Sequence, residues 1–356
     1  RSRSCHVVNH AYFTKTMNIL LATGIYPPES GGPATYTHDL AQALVARGHT
    51  VAVVTYGECR LEAGGRRLEE GKSFRVVYVS RRGGVVMRYA RYAWAVYRLA
   101  RKADVIFVQG AVSEGVPVTL VAKMLGKKVV MRIPGDYAWE MGMQITPKDT
   151  EPSLERFLIR RHHGRIGIYE WLERWTSRSA HVIIVPSQYL RSVALRWGVF
   201  QERVEVIKNA GQALPETDGR VFLRTGFGVS DRIVFLTAVR SLPWKGVTDL
   251  IAWWHRLPST HVLIVAGDGP ELAAWQQLAV REKLGNRIRF VGRLNRTQMT
   301  EWYDAADVFI LHTGYEGYPH TVPEAISRGL PCLVSDQGGN PETKAEFGDR
   351  VVVLPY

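Results

Sequence analysis

The sequence predicts an α/β protein built from two successive, doubly wound parallel-sheet domains, and three observations carry that prediction. Short apolar runs alternate with stretches of helical spacing along most of the chain. The first apolar run, residues 18–22, opens into a loop rich in glycine and proline and then a helix, which is how a doubly wound unit begins. A polar stretch without periodicity, residues 200–223, then separates two such series. At 356 residues with 46% apolar composition, the chain can build two cores.

Taken in order, residues 18–22 read as a buried strand and 24–33 as the loop. Residues 35–47 read as a helix, with Tyr36, Leu40 and Leu44 on one stripe and Gly48 as its stop. Strands follow at 50–55, 75–79, 105–109, 128–133 and 181–186, with helices over 88–102 and 115–125. Residues 204–208 suit a short strand, and the run NAGQALPETDG reads as linker because it is polar and punctuated. The second series has strands at 232–237, 261–266, 287–291, 308–311 and 331–335. Helices fit 247–256, 271–284, 297–305 and 321–328. The resulting division is residues 1–16 as tag or leader, 17–200 as the first domain, 201–223 as linker and 224–356 as the second domain. A domain of this kind is expected to continue past a strand at its end, so further helices are expected after residue 356. Loops at the carboxyl ends of the two sheets are expected to face one another across a ligand cleft.

Composition narrows the function classes. Cys5, Cys59 and Cys332 form no paired or CxxC pattern, which argues against disulfide stapling and a cysteine-built zinc site and for a reducing, cytoplasmic setting. No apolar run is long enough to span a membrane, and no secretory signal is read. The net charge of +13 is unevenly spread. Residues 1–200 hold 29 Lys and Arg against 15 Asp and Glu, whereas residues 201–356 hold 17 against 18. Such a field suits an anionic substrate, a nucleic acid or an acidic membrane, or is a basic surface with no specific partner.

Four loops at strand ends of the second series carry the chemistry. In Ala238-Val239-Arg240-Ser241-Leu242-Pro243-Trp244-Lys245-Gly246, two fixed cations suit a diphosphate, and Gly246 lets the next helix start close to it. A solvated loop with two ordinary charges is the alternative. Gly267-Asp268-Gly269-Pro270 is also a generic turn before a helix, and Asp268 receives no catalytic role. In "GYEGYPHTVPEA", residues 314–325, Thr321 and Glu324 have capping-box spacing, with Pro323 tolerated in the first turn. Glu316, between Gly314 and Gly317, has no such structural explanation and suits a polyhydroxyl ligand. Spacing leaves capping and ligand binding both open for this segment. Gly338-Gly339-Asn340-Pro341-Glu342 can turn consecutive amides toward a phosphate or a sugar oxygen.

Arg240, Lys245-Gly246, the Glu316-to-Glu324 pair and Gly338-Gly339-Asn340-Pro341-Glu342 resemble the donor-binding domain of the retaining nucleotide-sugar glycosyltransferases, family 4 of the GT-B architecture. Gly24-Ile25-Tyr26-Pro27-Pro28 through Gly31-Gly32-Pro33 to His38-Asp39-Leu40 is similar to the family's first loop and helix, so the resemblance covers most of residues 17–356. It implies two Rossmann-like domains facing across a cleft and a hexose moved from a nucleoside diphosphate sugar to a saccharide or lipid-linked glycan, as in bacterial surface glycan synthesis. Retention of the donor's anomeric configuration is implied as well. The donor is guessed as UDP-linked, with GDP or ADP fitting the same cations. No further cofactor or metal is implied, and the sequence holds no Asp-x-Asp pair or His cluster.

By the same resemblance, Arg240 and Lys245 neutralise the diphosphate and the departing charge, and Glu324 holds the ribose. Glu316, with amides from Gly317, Tyr318, Pro319 and His320 forming its loop, contacts the transferred sugar. Gly338 and Gly339 line the donor, and Gly31 and Gly32 approach it from the first domain. Many members place a histidine in the loop after a first-domain strand. Here the strand over 129–133 is followed by Pro134-Gly135-Asp136-Tyr137-Ala138-Trp139-Glu140. Asp136 takes the aligned position as a catalytic candidate, and Trp139 and Glu140 are candidates for shaping the acceptor side.

Residues 81–102 interleave seven cations with Val, Met, Tyr, Trp and Leu, and residues 156–178 repeat the mixture. Such amphipathic stretches either pack on a sheet or dock at an anionic leaflet to reach a lipid-linked acceptor. The location expected is then cytoplasmic, peripheral at the inner face of the membrane. Nucleic-acid binding is the rival from another class, but there is no zinc module or recognition-helix motif, so no nucleic acid is expected. A nucleotide-sugar epimerase of similar fold and an inert nucleotide-sugar binder are the remaining rivals.

Overall fold

The computed structural model describes residues 16–29, 31–57, 74–146, 149–209 and 214–356. Cys5, Cys59 and most of the expected leader lie outside them. The described residues form two parallel sheets flanked by helices. The first holds β1 (Asn18–Thr23), β2 (Thr50–Tyr56), β3 (Arg75–Val79), β4 (Val105–Gln109), β5 (Lys128–Arg132), β6 (Val182–Val185) and β7 (Val204–Val206), in the order β3-β2-β1-β4-β5-β6-β7. The second holds β8 (Ile233–Ala238), β9 (His261–Ala266), β10 (Ile288–Gly292), β11 (Val308–Leu311), β12 (Cys332–Ser335) and β13 (Val351–Leu354), in the order β10-β9-β8-β11-β12-β13. Each order reverses once, between β1 and β4 and between β8 and β11, which is the doubly wound pattern.

The strands read as nearly continuous apolar runs because helices cover both faces of each sheet. In the first sheet Leu21 pairs with Val53 and Phe107. These three join Val51, Val76 and Ala41 in a core, where Ala41, Tyr36 and Leu40 come from the helix Gly32–Ala46. In the second, Leu236, Ile264, Phe309 and Val334 pack with Trp302, Tyr303 and Val322. Leu263, Val265 and Ile310 pack with Ile251, Trp254 and Trp275. Each fully buried side chain of this size contributes about 1.5–3 kcal/mol.

Two compact units emerge: the described residues up to Ile133 with Leu172–Ile184, and Pro134–Trp171 with Val185–Tyr356. Residues 134–171, which belong to the first half by chain order, therefore group with the second half. Several elements depart from expectation. The first helix starts at Gly32, with Pro33 in its opening turn, so Gly32 is helical rather than part of the loop. The basic stretch 156–178 forms two helices, Leu154–Ile159 and Gly164–Ser179, interrupted where Gly164 adopts φ 62°. Helices at Tyr137–Ile145, Gln188–Arg196, Arg220–Gly226 and Pro341–Phe347 were not anticipated. The expected linker contains β7 and the start of the helix Arg220–Gly226, and its residues 210–213 lie outside the described ones.

Candidate functional site

Within the second unit, the loops that follow β8 and β11 meet at the reversal of strand order. After β8, the chain passes Arg240, makes a single turn over Pro243–Lys245 and enters the helix Val247–Trp253 through Gly246. Gly246 has φ 64°, and a methyl group there would lie 1.7 Å from the His312 carbonyl oxygen. Only glycine satisfies both the backbone angle and the approach. The Gly314 amide donates to the Trp244 carbonyl at 2.7 Å, tying the two loops together.

The loop after β9 buttresses this arrangement. Ser241 N donates to Asp268 O at 2.9 Å and Glu271 N donates to Ser241 O at 3.1 Å. Methyl groups on Gly267 and Gly269 would strike the carbonyls of Val239 and Ser241. The glycines of this turn thus let it lie directly on the segment carrying Arg240. The loop after β12 does the same for Glu316: a methyl on Gly338 would lie 2.3 Å from Glu316 O, and one on Gly339 2.2 Å from Gly317 O. The Gly339 amide is donated to Glu316 O at 2.8 Å, so its hydrogen is committed within the protein rather than turned outward. Asn340 pins the loop by donating to Thr313 Oγ1 and Ser335 Oγ.

Lys245 Nζ and Glu316 Oε2 form a partly buried ion pair at 2.5 Å. The Arg240 side chain is exposed and makes no hydrogen bond or ion pair among the described residues. The backbone amides of Gly317 and Tyr318, both buried residues, likewise find no protein acceptor among the described residues. Buried amides normally have a partner. The Tyr318 side chain is turned to Glu346, and Pro319 is buried beside it.

Glu324 corrects the capping-box expectation. The helix Thr321–Ser327 has His320 as N-cap, with no side-chain capping bond. Thr321 lies inside the first turn, one position late for the motif, so Glu324 is not at the reciprocal position. Its carboxylate instead accepts the Tyr303 hydroxyl at 2.9 Å, and burial raises its pKa.

Residues 134–140 reach this site from within the same unit. A methyl on Gly317 would lie 2.3 Å from Pro134 O. Asp136 is 1% exposed and serves as N-cap of the helix Tyr137–Ile145, its Oδ1 accepting the Trp139 amide at 2.8 Å. Its own amide donates to the Tyr315 hydroxyl at 3.1 Å. The aspartate expected to be open to a sugar is thus a buried helix cap. Trp139 packs edge-on to Tyr315, 4.9 Å between ring centres, and tilted on Trp244 at 5.1 Å. Tyr315 and Trp244 went unremarked in the sequence, although each adjoins a residue that was singled out. Glu140 is half-buried, and burial pushes its carboxyl up to about 7. Among the described residues, no three His, Cys, Asp or Glu side chains come together as a metal site would require.

In the first unit, Gly31 precedes the helix Gly32–Ala46 as its N-cap. At the β1–β4 reversal, the buried carboxylate of Glu114 lies against Gly24 and Gly110, and burial pushes it up to about 8. Nothing in its sequence context singled it out.

Residues 31–210 match the family described as glycosyl transferase 4-like domain, and residues 224–356 match glycosyl transferases group 1. A polypeptide of human phosphatidylinositol N-acetylglucosaminyltransferase is 24% identical over 348 residues, covering 94% of this chain but 65% of its own length. N-acetyl-alpha-D-glucosaminyl L-malate synthase of Bacillus anthracis is 23% identical over 335 residues, 90% of this chain and 80% of its own. HepE from Anabaena, crystallised with UDP and glucose, has the same fold, with a TM-score of 0.72 at 20% identity over 92% of this chain and 82% of that one. Since the first of these family matches takes in half of the sequence and the second lies on the remaining sheet, the chain belongs to the glycosyl transferase 4-like family and carries its two Rossmann-like domains in the manner of the GT-B fold.

Proposed function

We propose that the chain is a retaining glycosyltransferase moving a hexose-type sugar from a nucleoside diphosphate sugar to a saccharide or lipid-linked glycan, of the kind found in bacterial surface polymers. The observation that carries this reading is the meeting of Arg240, Lys245 and Glu316 with the unpaired amides of Gly317 and Tyr318 at one strand-order reversal. Arg240 and Lys245 neutralise the diphosphate and stabilise it as leaving group. Glu316 and the amides of residues 317–320 hold the sugar hydroxyls, and Glu324 holds the ribose. Gly338 and Gly339 act by seating the Glu316 loop, and Gly31 and Gly32 contribute a helix start from the first domain. Asp136 positions the helix bearing Trp139 and Glu140 rather than touching substrate. UDP is the favoured carrier because HepE was crystallised with it; GDP and ADP would engage the same cations.

The acceptor is proposed to be reached at an anionic membrane surface. On the helix Gly84–Ala100, Val86 is 84% exposed and Trp94 62%; Arg81 and Arg82 precede its start and Arg91 lies along it. On residues 156–171, Ile159 and Trp171 are likewise exposed among arginines. Apolar tips ringed by cations suit the headgroup region of an acidic leaflet.

Titration calorimetry with UDP, GDP and ADP in the presence of EDTA tests the donor site. At least one nucleotide is expected to bind, and the double variant Arg240→Ala, Lys245→Ala should lose at least about tenfold in affinity. Unchanged heats in that variant would overturn the assignment. Turnover of the matching nucleotide sugar with lipid-linked and free saccharides then identifies the acceptor.

A further inference from the structure

The inference concerns Glu140 and rests on the donor-site reading above. Three carboxylates and two cations crowd one corner of the second unit: Asp136, Glu140, Glu316, Arg240 and Lys245. Two of the carboxylates have donors. Asp136 Oδ1 accepts the Trp139 amide and Glu316 Oε2 accepts Lys245. The Glu140 carboxylate accepts no hydrogen bond among the described residues; only its backbone carbonyl does, from Gln144 Nε2. Its Oε1 lies over Gly135, where a methyl group would come within 2.3 Å of it and within 3.1 Å of the Tyr315 hydroxyl.

Charge balance then decides what an incoming diphosphate does. With every group ionised, the corner already carries one excess negative charge. The diphosphate of a nucleotide sugar bridging Arg240 and Lys245 brings about two more, and free UDP about three. Burial is the main force favouring the neutral acid at Glu140. Lys245 and Arg240 oppose it, whereas Asp136 and Glu316 add to it. Tyr315 stays neutral, its hydroxyl held well above its ordinary range by burial. Tyr189, which packs on Tyr315, donates to Glu155 and is neutral too. A diphosphate seated on the two cations cancels the opposing pull, and the carboxylate without a donor is the one that gains most from a proton.

The geometry points to Glu140 as the proton-bearing residue of the donor site: it takes up a proton from solvent when the nucleoside diphosphate enters, and the resulting carboxylic acid presents its O–H to the bound donor. A carboxylate there would accept hydrogen bonds only, whereas the acid can donate one to a phosphate or sugar oxygen. Glu140 thus becomes a polar contact of the donor, with donor affinity linked to pH through this residue.

Calorimetry of UDP binding in phosphate and in Tris buffer at pH 7 and pH 8 counts the protons exchanged. Wild type should take up about half a proton at pH 7 and nearly one at pH 8, with Kd rising toward about tenfold per pH unit above 7. Glu140→Gln, which keeps an N–H donor at the position, should abolish that difference and flatten the pH dependence while still binding UDP. Glu140→Ala should lose the uptake and also bind more weakly. Measurable UDP binding with equal proton uptake in wild type and Glu140→Gln would overturn the inference while leaving the donor site standing. If neither UDP, GDP nor ADP bound wild type, the inference would fall together with the donor reading.

Discussion

The Glu324 carboxylate accepts the Tyr303 hydroxyl from the first turn of the helix Thr321–Ser327, and the helix takes no capping bond from it. Glutamine at this position keeps an acceptor for Tyr303 and removes only the charge. We expect Glu324→Gln to weaken nucleotide binding by about tenfold, near 1.4 kcal/mol, with little change in thermal unfolding. A large fall in Tm with nucleotide affinity preserved would assign Glu324 to the fold instead of the ribose. Its correct spacing from Thr321 suggested a capping box. What defeated that reading is one residue of offset in the helix start, a quantity that sequence patterns fix poorly. That Lys245 and Glu316 come together was legible because each lies on a loop after an apolar run of the second sheet. Glu140's upward shift was not legible, since it comes mainly from burial, against the opposing pull of Lys245 and Arg240, about a hundred residues away in the chain.

At the level of elements, the site depends on glycines that let one loop rest on another. Gly246 is the most constrained of them, combining φ 64° with a 1.7 Å approach to the His312 carbonyl. Gly246→Ala should cost at least ~3 kcal/mol, from the unfavourable backbone angle and the displaced β11 loop together. Chemical denaturation would measure it, and a loss under ~1 kcal/mol would mean that the loops separate easily. The strands were readable because both faces are covered and the runs are apolar throughout. The helix Tyr137–Ile145 was not, because its start depends on Asp136 acting as a cap where a ligand role had been expected. In Gly338-Gly339-Asn340, the sequence correctly marked a special loop but suggested outward amides. Close packing against Glu316 and Gly317 is what those glycines permit.

For the molecule as a whole, charge is the property most plainly written in the composition. The excess of 29 cations over 15 anions in residues 1–200 predicts flotation with vesicles rich in anionic lipid at low salt. Binding should fall steeply by about 0.5 M salt, where screening is strong. Val86→Asp, in the exposed tip of the helix Gly84–Ala100, should reduce it further. Absence of flotation at low salt would remove the membrane role. Two sheets in series were also legible, but the partition into compact units was not, because residues 134–171 pack through side chains such as Trp139 whose partners, Trp244 and Tyr315, are distant in sequence. That excursion has a practical corollary for dissecting the protein. A fragment cut at residue 224 would keep every strand of the second sheet yet strip the aromatic cover from Tyr315 and Trp244. Such a piece should come out sticky, and restoring residues 134–171 and 185–223, the rest of its compact unit, is the natural way to keep it in solution.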